Sequence, residues 1–185
     1  MDARTRLTSN EYLALPDEFH PGGERIRDEL IDGELVQWPF LPLAHSLVVS
    51  NITHILQRYI TSREDLALEV LAFTGFQVSE YDTFVPDLSV LRKQQLDIEA
   101  RMIQGPPALP IEVIADWELM MHLHHKVHAY LANGAEKVWV VYPNARSVVV
   151  QDCDAIREYK GDEAITEPDL LPDFSSPVSE FFELR

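Results

Sequence analysis

Composition places this chain among ordinary globular proteins. Its 185 residues are 46% hydrophobic and 25% charged, which predicts one domain over residues 1–185 with a substantial core. A single cysteine, Cys153, excludes an internal disulfide framework and favours a reducing, cytoplasmic setting. The sequence has neither an apolar stretch long enough to span a bilayer nor the apolar segment of a signal peptide, so we expect no membrane partner.

The net charge argues against tight binding to nucleic acid. Fifteen basic residues against 31 acidic residues give a formal charge of −16. Proteins that bind duplex DNA gain affinity from basic patches that release counterions, and an acidic chain lacks this advantage. Metal ions bound to carboxylates would offset the repulsion, and a homodimer that gathers basic residues along one rim would do the same.

The first predicted elements are a short helix and a loop. Thr8 and Glu11 have the spacing of a capping box, which predicts a helix start, and Pro16 ends the helix. Residues 17–24 are polar and contain proline and glycine, so they predict a mobile loop.

A hairpin is predicted over residues 28–38. Asp32 and Gly33 form a strong tight-turn pair between two short runs that contain apolar residues. Glu29 lies on the first strand of this hairpin. Its residue type alone is most typical of a solvated strand position.

A longer helix is predicted over residues 43–60, where apolar residues recur at helical spacing. His45 lies in its first turn. The sequence leaves two interpretations of this side chain open, namely an exposed histidine at a helix start and a group that points toward a functional site.

Three strands are predicted next, over residues 67–73, 76–79 and 84–91. Pro86 fits the start of a strand or a bulge. Asp87 therefore lies near a strand end, where a turn or cap aspartate is the simplest interpretation.

A polar connection over residues 92–105 follows and carries the densest basic group of the chain, formed by Arg92, Lys93 and Arg101. A solvated loop is the simplest interpretation. The functional alternative is a loop that faces nucleic acid beside an active site.

Residues 109–142 predict a strand, a helix and a second strand. The apolar run 109–115 reads as a buried strand interrupted by one charge, Glu112. A buried charge is costly unless a partner or a metal compensates it. The helix is predicted over 118–132 and the second strand over 137–142, which makes a crossover unit with parallel strands.

Histidines cluster on this helix. His122 shares a face with Lys126 and Tyr130, since the three residues recur every four positions. His124 and His128 have the spacing of a helical zinc pair. A zinc site is the weaker interpretation, because neither a third ligand nor a neighbouring glutamate is evident.

The last predicted elements are a strand pair over 147–151 and 156–160 and a C-terminal segment that docks on the core and ends in a helical turn at 179–182.

One ordered set of residues runs through most of the chain, from about residue 9 to residue 182. The set is Glu29-Leu30-Ile31-Asp32-Gly33-Glu34-Leu35, His45, Pro86-Asp87, Ile111-Glu112-Val113, Lys126, Tyr130, Gly134 and Trp139. It resembles the Uma2 family of the PD-(D/E)XK, restriction-endonuclease-like superfamily. The resemblance implies an α/β fold with a mixed central β-sheet flanked by helices and an N-terminal hairpin. It also implies an endonuclease that depends on Mg²⁺ or Mn²⁺ and hydrolyses phosphodiester bonds of nucleic acid, expected to be DNA.

The resemblance implies roles for individual residues. Asp87 and Glu112 would be hard oxygen ligands for Mg²⁺ or Mn²⁺, and the backbone carbonyl of Val113 would add a further ligand. Lys126 would orient the attacking water or stabilise developing negative charge, since Ile114 occupies the position where such enzymes usually carry the lysine. Glu29 would complete the metal site or help to move a proton.

Two histidines complete the predicted site, and some positions depart from the family pattern. His45 matches a position where the family commonly has histidine. His122 stands where the family tends to carry an aspartate, and residues 115–117 replace its usual serine-proline-serine turn. These departures leave an alternative open, a nuclease fold that has lost catalysis and serves as a binding or assembly protein.

Overall fold

The computed structural model describes residues 6–16, 28–37, 41–114 and 120–184, with the backbone alone at positions 120 and 121. The loop predicted over 17–24 and the departure at 115–117 lie outside the described residues. Among the described helices, none is both long enough and apolar enough for a membrane crossing.

Three α-helices and thirteen strands form in the described residues. The helices are α1 (Ser9–Leu13), α2 (Leu43–Thr61) and α3 (Met120–Ala132). The strands are β1 (Asp28–Ile31), β2 (Glu34–Gln37), β3 (Leu68–Ala72), β4 (Phe76–Gln77), β5 (Thr83–Phe84), β6 (Leu88–Arg92), β7 (Ile103–Gln104), β8 (Leu109–Val113), β9 (Val138–Tyr142), β10 (Ser147–Gln151), β11 (Ile156–Lys160), β12 (Ala164–Glu167) and β13 (Leu171–Pro177). Short 3₁₀ helices occupy Glu64–Leu66, Lys93–Gln95 and Val178–Phe182.

The strands form two larger sheets and one small hairpin. The five-stranded sheet has the order β2-β1-β5-β4-β7, and the six-stranded sheet has the order β11-β10-β9-β8-β6-β3. β12 and β13 pair with each other. Most pairs are antiparallel, while β8 with β9 and β4 with β7 are parallel. The predicted mixed α/β class is confirmed, although the strands are divided between sheets instead of forming one.

The prediction of one continuous strand over residues 84–91 was wrong. β5 ends at Phe84 in the five-stranded sheet, and β6 begins at Leu88 in the six-stranded sheet. Pro86 has no backbone N–H to donate to a ladder, so the chain leaves one sheet and enters the other here. Asp87 therefore lies in the link between the two sheets.

The predicted crossover unit is confirmed. β8 and β9 are parallel neighbours, with Glu112 opposite Val140, and α3 connects them. Side chains alternate between the faces of β9. Trp139 packs in the core that includes α2 and the C-terminal segment, whereas Val140 packs in the core that includes α3. Glu112, which lies on the α3 side, can thus meet the helix that follows its own strand.

Candidate active site

Glu112 is a buried carboxylate held by two donors from α3. Lys126 Nζ lies 2.8 Å from Glu112 Oε1, and the Tyr130 hydroxyl donates to the same oxygen over 2.8 Å. Residues four apart on a helix share a face, which explains why both side chains reach one oxygen. Glu112 and Lys126 are only 6% and 5% exposed.

Glu29 brings the N-terminal hairpin to the same lysine. It is fully buried on β1, and its two carboxylate oxygens lie 3.0 and 3.1 Å from Lys126 Nζ. Glu29 also accepts the backbone N–H of Val85, in the link between the sheets. Lys126 therefore lies between two buried carboxylates that come from different sheets.

Asp87 lies beside this group and faces a histidine. Its Oδ2 accepts the Val113 backbone N–H over 2.8 Å, which fixes it next to Glu112. His45 Nε2 lies 3.2 Å from Asp87 Oδ1. The contact is close but not aligned as a hydrogen bond, so the buried His45 Nε2 makes no hydrogen bond within the described part of the chain.

The electrostatics of the cluster show an excess of negative charge. Burial raises the pKa of Glu112, and the charges of Glu29 and Asp87 raise it further against the opposing effect of Lys126. Burial lowers the pKa of Lys126, but Glu112 and Glu29 outweigh burial and leave this pKa above its usual value. Burial and Glu112 raise the pKa of Tyr130 well above its ordinary range. Two carboxylates thus share one lysine, and a third, Asp87, adds its charge beside Glu112.

An aromatic side chain closes the cluster, and sequence analysis did not identify it. The ring of Phe84 lies 5.4 Å from Lys126 Nζ in a cation–π arrangement. It meets the ring of Tyr130 edge to face, with centroids 5.1 Å apart. Its position in an apolar strand gave no signal of this role, because such residues usually fill cores.

The cluster fits a divalent cation in its chemistry. Carboxylate oxygens are the ligands that Mg²⁺ and Mn²⁺ prefer, and the excess negative charge and the unbonded His45 Nε2 favour a cation beside Asp87. Among the described residues, no group of three His, Cys, Asp or Glu side chains is already arranged around a metal position. Cation binding therefore requires Glu112 to turn from Lys126 and Tyr130.

Three of the histidines on α3 are His122, His124 and His128. His122 is half-buried one turn before Lys126. His124 and His128 are exposed, and their ring centroids lie 4.4 Å apart. A third metal ligand beside them is absent from the described residues.

The loop over residues 92–105, for which a position facing nucleic acid beside the active site was the functional alternative, begins far from the candidate active site. Arg92 ends β6 and Lys93 follows it, whereas Asp87 precedes β6, so they lie at opposite ends of that strand. At about 3.3 Å per residue, five residues separate them by roughly 16 Å. Arg92 also pairs with Glu136, and Arg101 donates to the carbonyl of Leu13.

Comparisons with known proteins identify the family and the fold of the chain. The model of the Uma2 family, described as "Putative restriction endonuclease", matches residues 9–179. A crystal structure from Anabaena variabilis, described as a putative nuclease belonging to DUF820, has a TM-score of 0.81 and 17% sequence identity, over 95% of this chain and 97% of that one. No curated protein matches the chain. The family match spans nearly the whole sequence, and the chain belongs to the Uma2 family.

Proposed function

We propose that this protein is a metal-dependent endonuclease that hydrolyses phosphodiester bonds of DNA. The observation that carries the proposal is the buried group in which Glu29 and Glu112 hold Lys126 while Asp87 lies beside Glu112. Burying three carboxylates with one lysine is costly for stability, so a structural role explains it poorly. The family match supports nuclease chemistry for this group.

Two carboxylates are proposed to hold the cation. Asp87 and Glu112 would bind Mg²⁺ or Mn²⁺, with the backbone carbonyl of Val113 as a further ligand. The Val113 N–H already anchors Asp87, so this segment of β8 stands beside both side chains. When bound, such a cation makes a water molecule more acidic and offsets charge on the phosphoryl oxygens.

Lys126 is proposed to act as a fixed positive charge. Glu112 and Glu29 raise the pKa of Lys126, which favours a protonated ammonium over a general base in this environment. It can donate hydrogen bonds to a water molecule or to a phosphoryl oxygen in which negative charge develops. If Glu112 turned from Lys126 toward a cation, one of the three N–H donors of Lys126 would become free for this hydrogen bond.

Glu29 and the histidines are proposed to support these groups. Both oxygens of Glu29 contact Lys126, which favours orientation of the lysine over metal ligation or proton transfer. His45 would stabilise the orientation of Asp87 or join it at the cation. His122 would act beside the cation from its half-buried position one turn before Lys126.

We further propose that the chain is one domain located in the cytoplasm. It would pair as a homodimer that gathers basic residues along one rim, which would reduce the repulsion of DNA by the acidic chain.

A second candidate is a DNA- or protein-binding assembly module that has lost catalysis. Its supporting observation is that Lys126 and Tyr130 both occupy Glu112 Oε1, while no three-ligand group is arranged among the described residues. In this alternative Lys126 permanently takes the place of the cation.

A cleavage assay separates the two candidates. Purified protein is incubated with supercoiled plasmid and Mg²⁺ or Mn²⁺, with and without chelator, beside Glu112→Gln. The nuclease proposal predicts nicked or linear DNA that disappears with chelator and with the variant. Intact plasmid under all conditions, from a protein with a cooperative unfolding transition, supports the assembly module.

A further inference from the structure

Asp82 lies in the turn between β4 and β5 and is a buried carboxylate outside the candidate active site. It is 7% exposed, and its Oδ2 accepts the hydroxyl of Ser79 over 2.7 Å. Its backbone carbonyl accepts the N–H groups of Val78 and Ser79. The turn therefore fixes the Asp82 side chain in one position.

The other oxygen of Asp82 joins two elements that carry active-site residues. Asp82 Oδ1 accepts the backbone N–H of Asp32, in the turn between β1 and β2, over 2.9 Å. The same oxygen lies 2.7 Å from His125 Nε2, on α3. Since β1 carries Glu29 and α3 carries Lys126, Asp82 links the two elements that meet at the Lys126–Glu29 pair.

His125 is well placed to transmit this link. A carboxylate accepts hydrogen bonds only, so His125 Nε2 carries the hydrogen and donates it. Its ring meets the Phe84 ring edge to face, with centroids 6.4 Å apart, and Phe84 contacts Lys126 and Tyr130. The side chain is 39% exposed and lies outside the buried carboxylate group, so it can be changed without altering that group directly.

We propose that Asp82 and His125 form a positioning pair that holds α3 in register with the N-terminal hairpin and keeps Lys126 between Glu29 and Glu112. Neither residue touches the reacting atoms. The effect on cleavage rests on the proposed nuclease function, whereas the effect on Lys126 does not.

The pair is tested by comparing His125→Leu with His125→Gln and with a control variant on the same helix. His125→Leu removes the donor to Asp82, while His125→Gln keeps an amide N–H near the position of Nε2. His128→Leu is the matched control, because His128 is an exposed histidine on the same helix, outside the pair. Asp82→Asn is less informative, since it also alters the contacts of Asp32 and Ser79.

The first measurement is the reactivity of Lys126 toward a lysine-acetylating reagent, read by mass spectrometry of the folded protein. Lys126 is 5% exposed and should react slowly in the unchanged chain. We expect His125→Leu to raise its acetylation rate about tenfold or more, with both His125→Gln and His128→Leu close to the unchanged chain. Equal protection of Lys126 in His125→Leu would overturn the proposal, as would an equal loss of protection in His128→Leu or in His125→Gln.

The second measurement is cleavage. Supporting groups around a catalytic site typically contribute about 10- to 100-fold, and we expect His125→Leu to lower kcat in that range with Mn²⁺ affinity unchanged. An unchanged kcat in an active enzyme, or a parallel loss of Mn²⁺ binding, would contradict positioning of Lys126. If the unchanged chain cleaves nothing, the nuclease proposal fails, and the acetylation rates alone decide whether Asp82 and His125 hold Lys126.

Discussion

The molecule buries a carboxylate with a lysine and an aromatic donor in two places, on opposite faces of the six-stranded sheet. At the first, Glu167 is 1% exposed, and each of its oxygens has its own partner. Trp139 Nε1 donates to Oε1 over 2.6 Å, and Lys137 Nζ lies 2.8 Å from Oε2. Glu167 is the buried carboxylate that meets Lys137, and both of its oxygens are hydrogen-bonded; Asp152 and Asp169, which also act on Lys137, are not buried.

The second place is Glu112, where the same partners are arranged differently. Lys126 and Tyr130 share a single carboxylate oxygen, and Glu29 and Asp87 add two further carboxylates. Burial raises the pKa of Glu112 most, and the charges of Glu29 and Asp87 raise it further, so buried negative charge is in excess here. A buried carboxylate–lysine pair is thus not by itself a mark of function. The unbalanced negative charge is what distinguishes the candidate active site.

Removing the lysine should give the largest difference in unfolding free energy between the two places. Lys126→Met leaves Glu29 and Glu112 buried without their shared cation, with Asp87 beside them, and breaking a buried pair in this way costs about 3 kcal/mol or more. Lys137→Met leaves a single buried carboxylate that keeps its hydrogen bond from Trp139 Nε1, so the cost should be smaller, about 1–2 kcal/mol. Urea unfolding of both variants measures the difference. Equal costs would show that Lys126 is no more than another structural partner.

Neutralising a carboxylate should change the stability of the protein in opposite directions at the two places. Asp87→Asn keeps an acceptor for the Val113 N–H and relieves repulsion of Glu112, so we expect equal or higher stability, by up to about 1 kcal/mol. Glu167→Gln weakens a balanced pair and should cost about 1–3 kcal/mol. Thermal unfolding of the two variants gives the sign directly. A clear loss of stability in Asp87→Asn would place Asp87 with the structural carboxylates.

The pH dependence of stability sharpens the same point. Because the pKa of Glu112 is raised above 4.5 in the folded chain, the folded state holds this proton more tightly than the unfolded state. Its contribution to stability therefore declines as pH rises from about 4.5 through the folded pKa, by at most about 1.4 kcal/mol per pH unit. The unfolding free energy of the unchanged chain minus that of Glu112→Gln, followed between pH 4 and 8, reports this slope. A difference that grows with pH would indicate a lowered pKa instead.

Loss of the Tyr130 hydroxyl should have the smallest effect. Tyr130→Phe removes one of two donors to Glu112 Oε1 while Lys126 remains, so the cost should be about 1 kcal/mol and the loss of activity less than about tenfold. Unfolding and plasmid cleavage measure the two effects. Complete loss of cleavage would give Tyr130 a direct part in the reaction.

Local patterns predicted the elements of this fold better than their assembly. The Asp32-Gly33 turn and the unit of β8, α3 and β9 follow from turn chemistry and apolar periodicity, and the structure has both. The break between β5 and β6 also has a local cause, because Pro86 lacks the backbone N–H that a continuous strand would use. Its consequence is not local, because the sequence does not say that the next strand joins another sheet.

The candidate site shows the same limit. Helical spacing placed Lys126 and Tyr130 on one face, and the crossover placed that face near Glu112. The place of Glu29 in the site came only from the family resemblance, and its pairing with Lys126, 97 residues away, was not predicted. Asp82 gave no signal, because a turn aspartate is common and its partner His125 is 43 residues away. Glu167 was missed for the same reason, since the partners of a buried charge depend on how distant elements pack.

Calorimetric titration with Mn²⁺ tests the central claim, that unbalanced carboxylates make a cation site, most directly. It should be run near neutral pH on the unchanged chain, Asp87→Asn and Glu167→Gln. We predict one site in the unchanged chain and in Glu167→Gln, with affinity at least about 100-fold weaker in Asp87→Asn, because a ligand is lost. Absence of Mn²⁺ binding in the unchanged chain, or equal affinity in Asp87→Asn, would contradict the account.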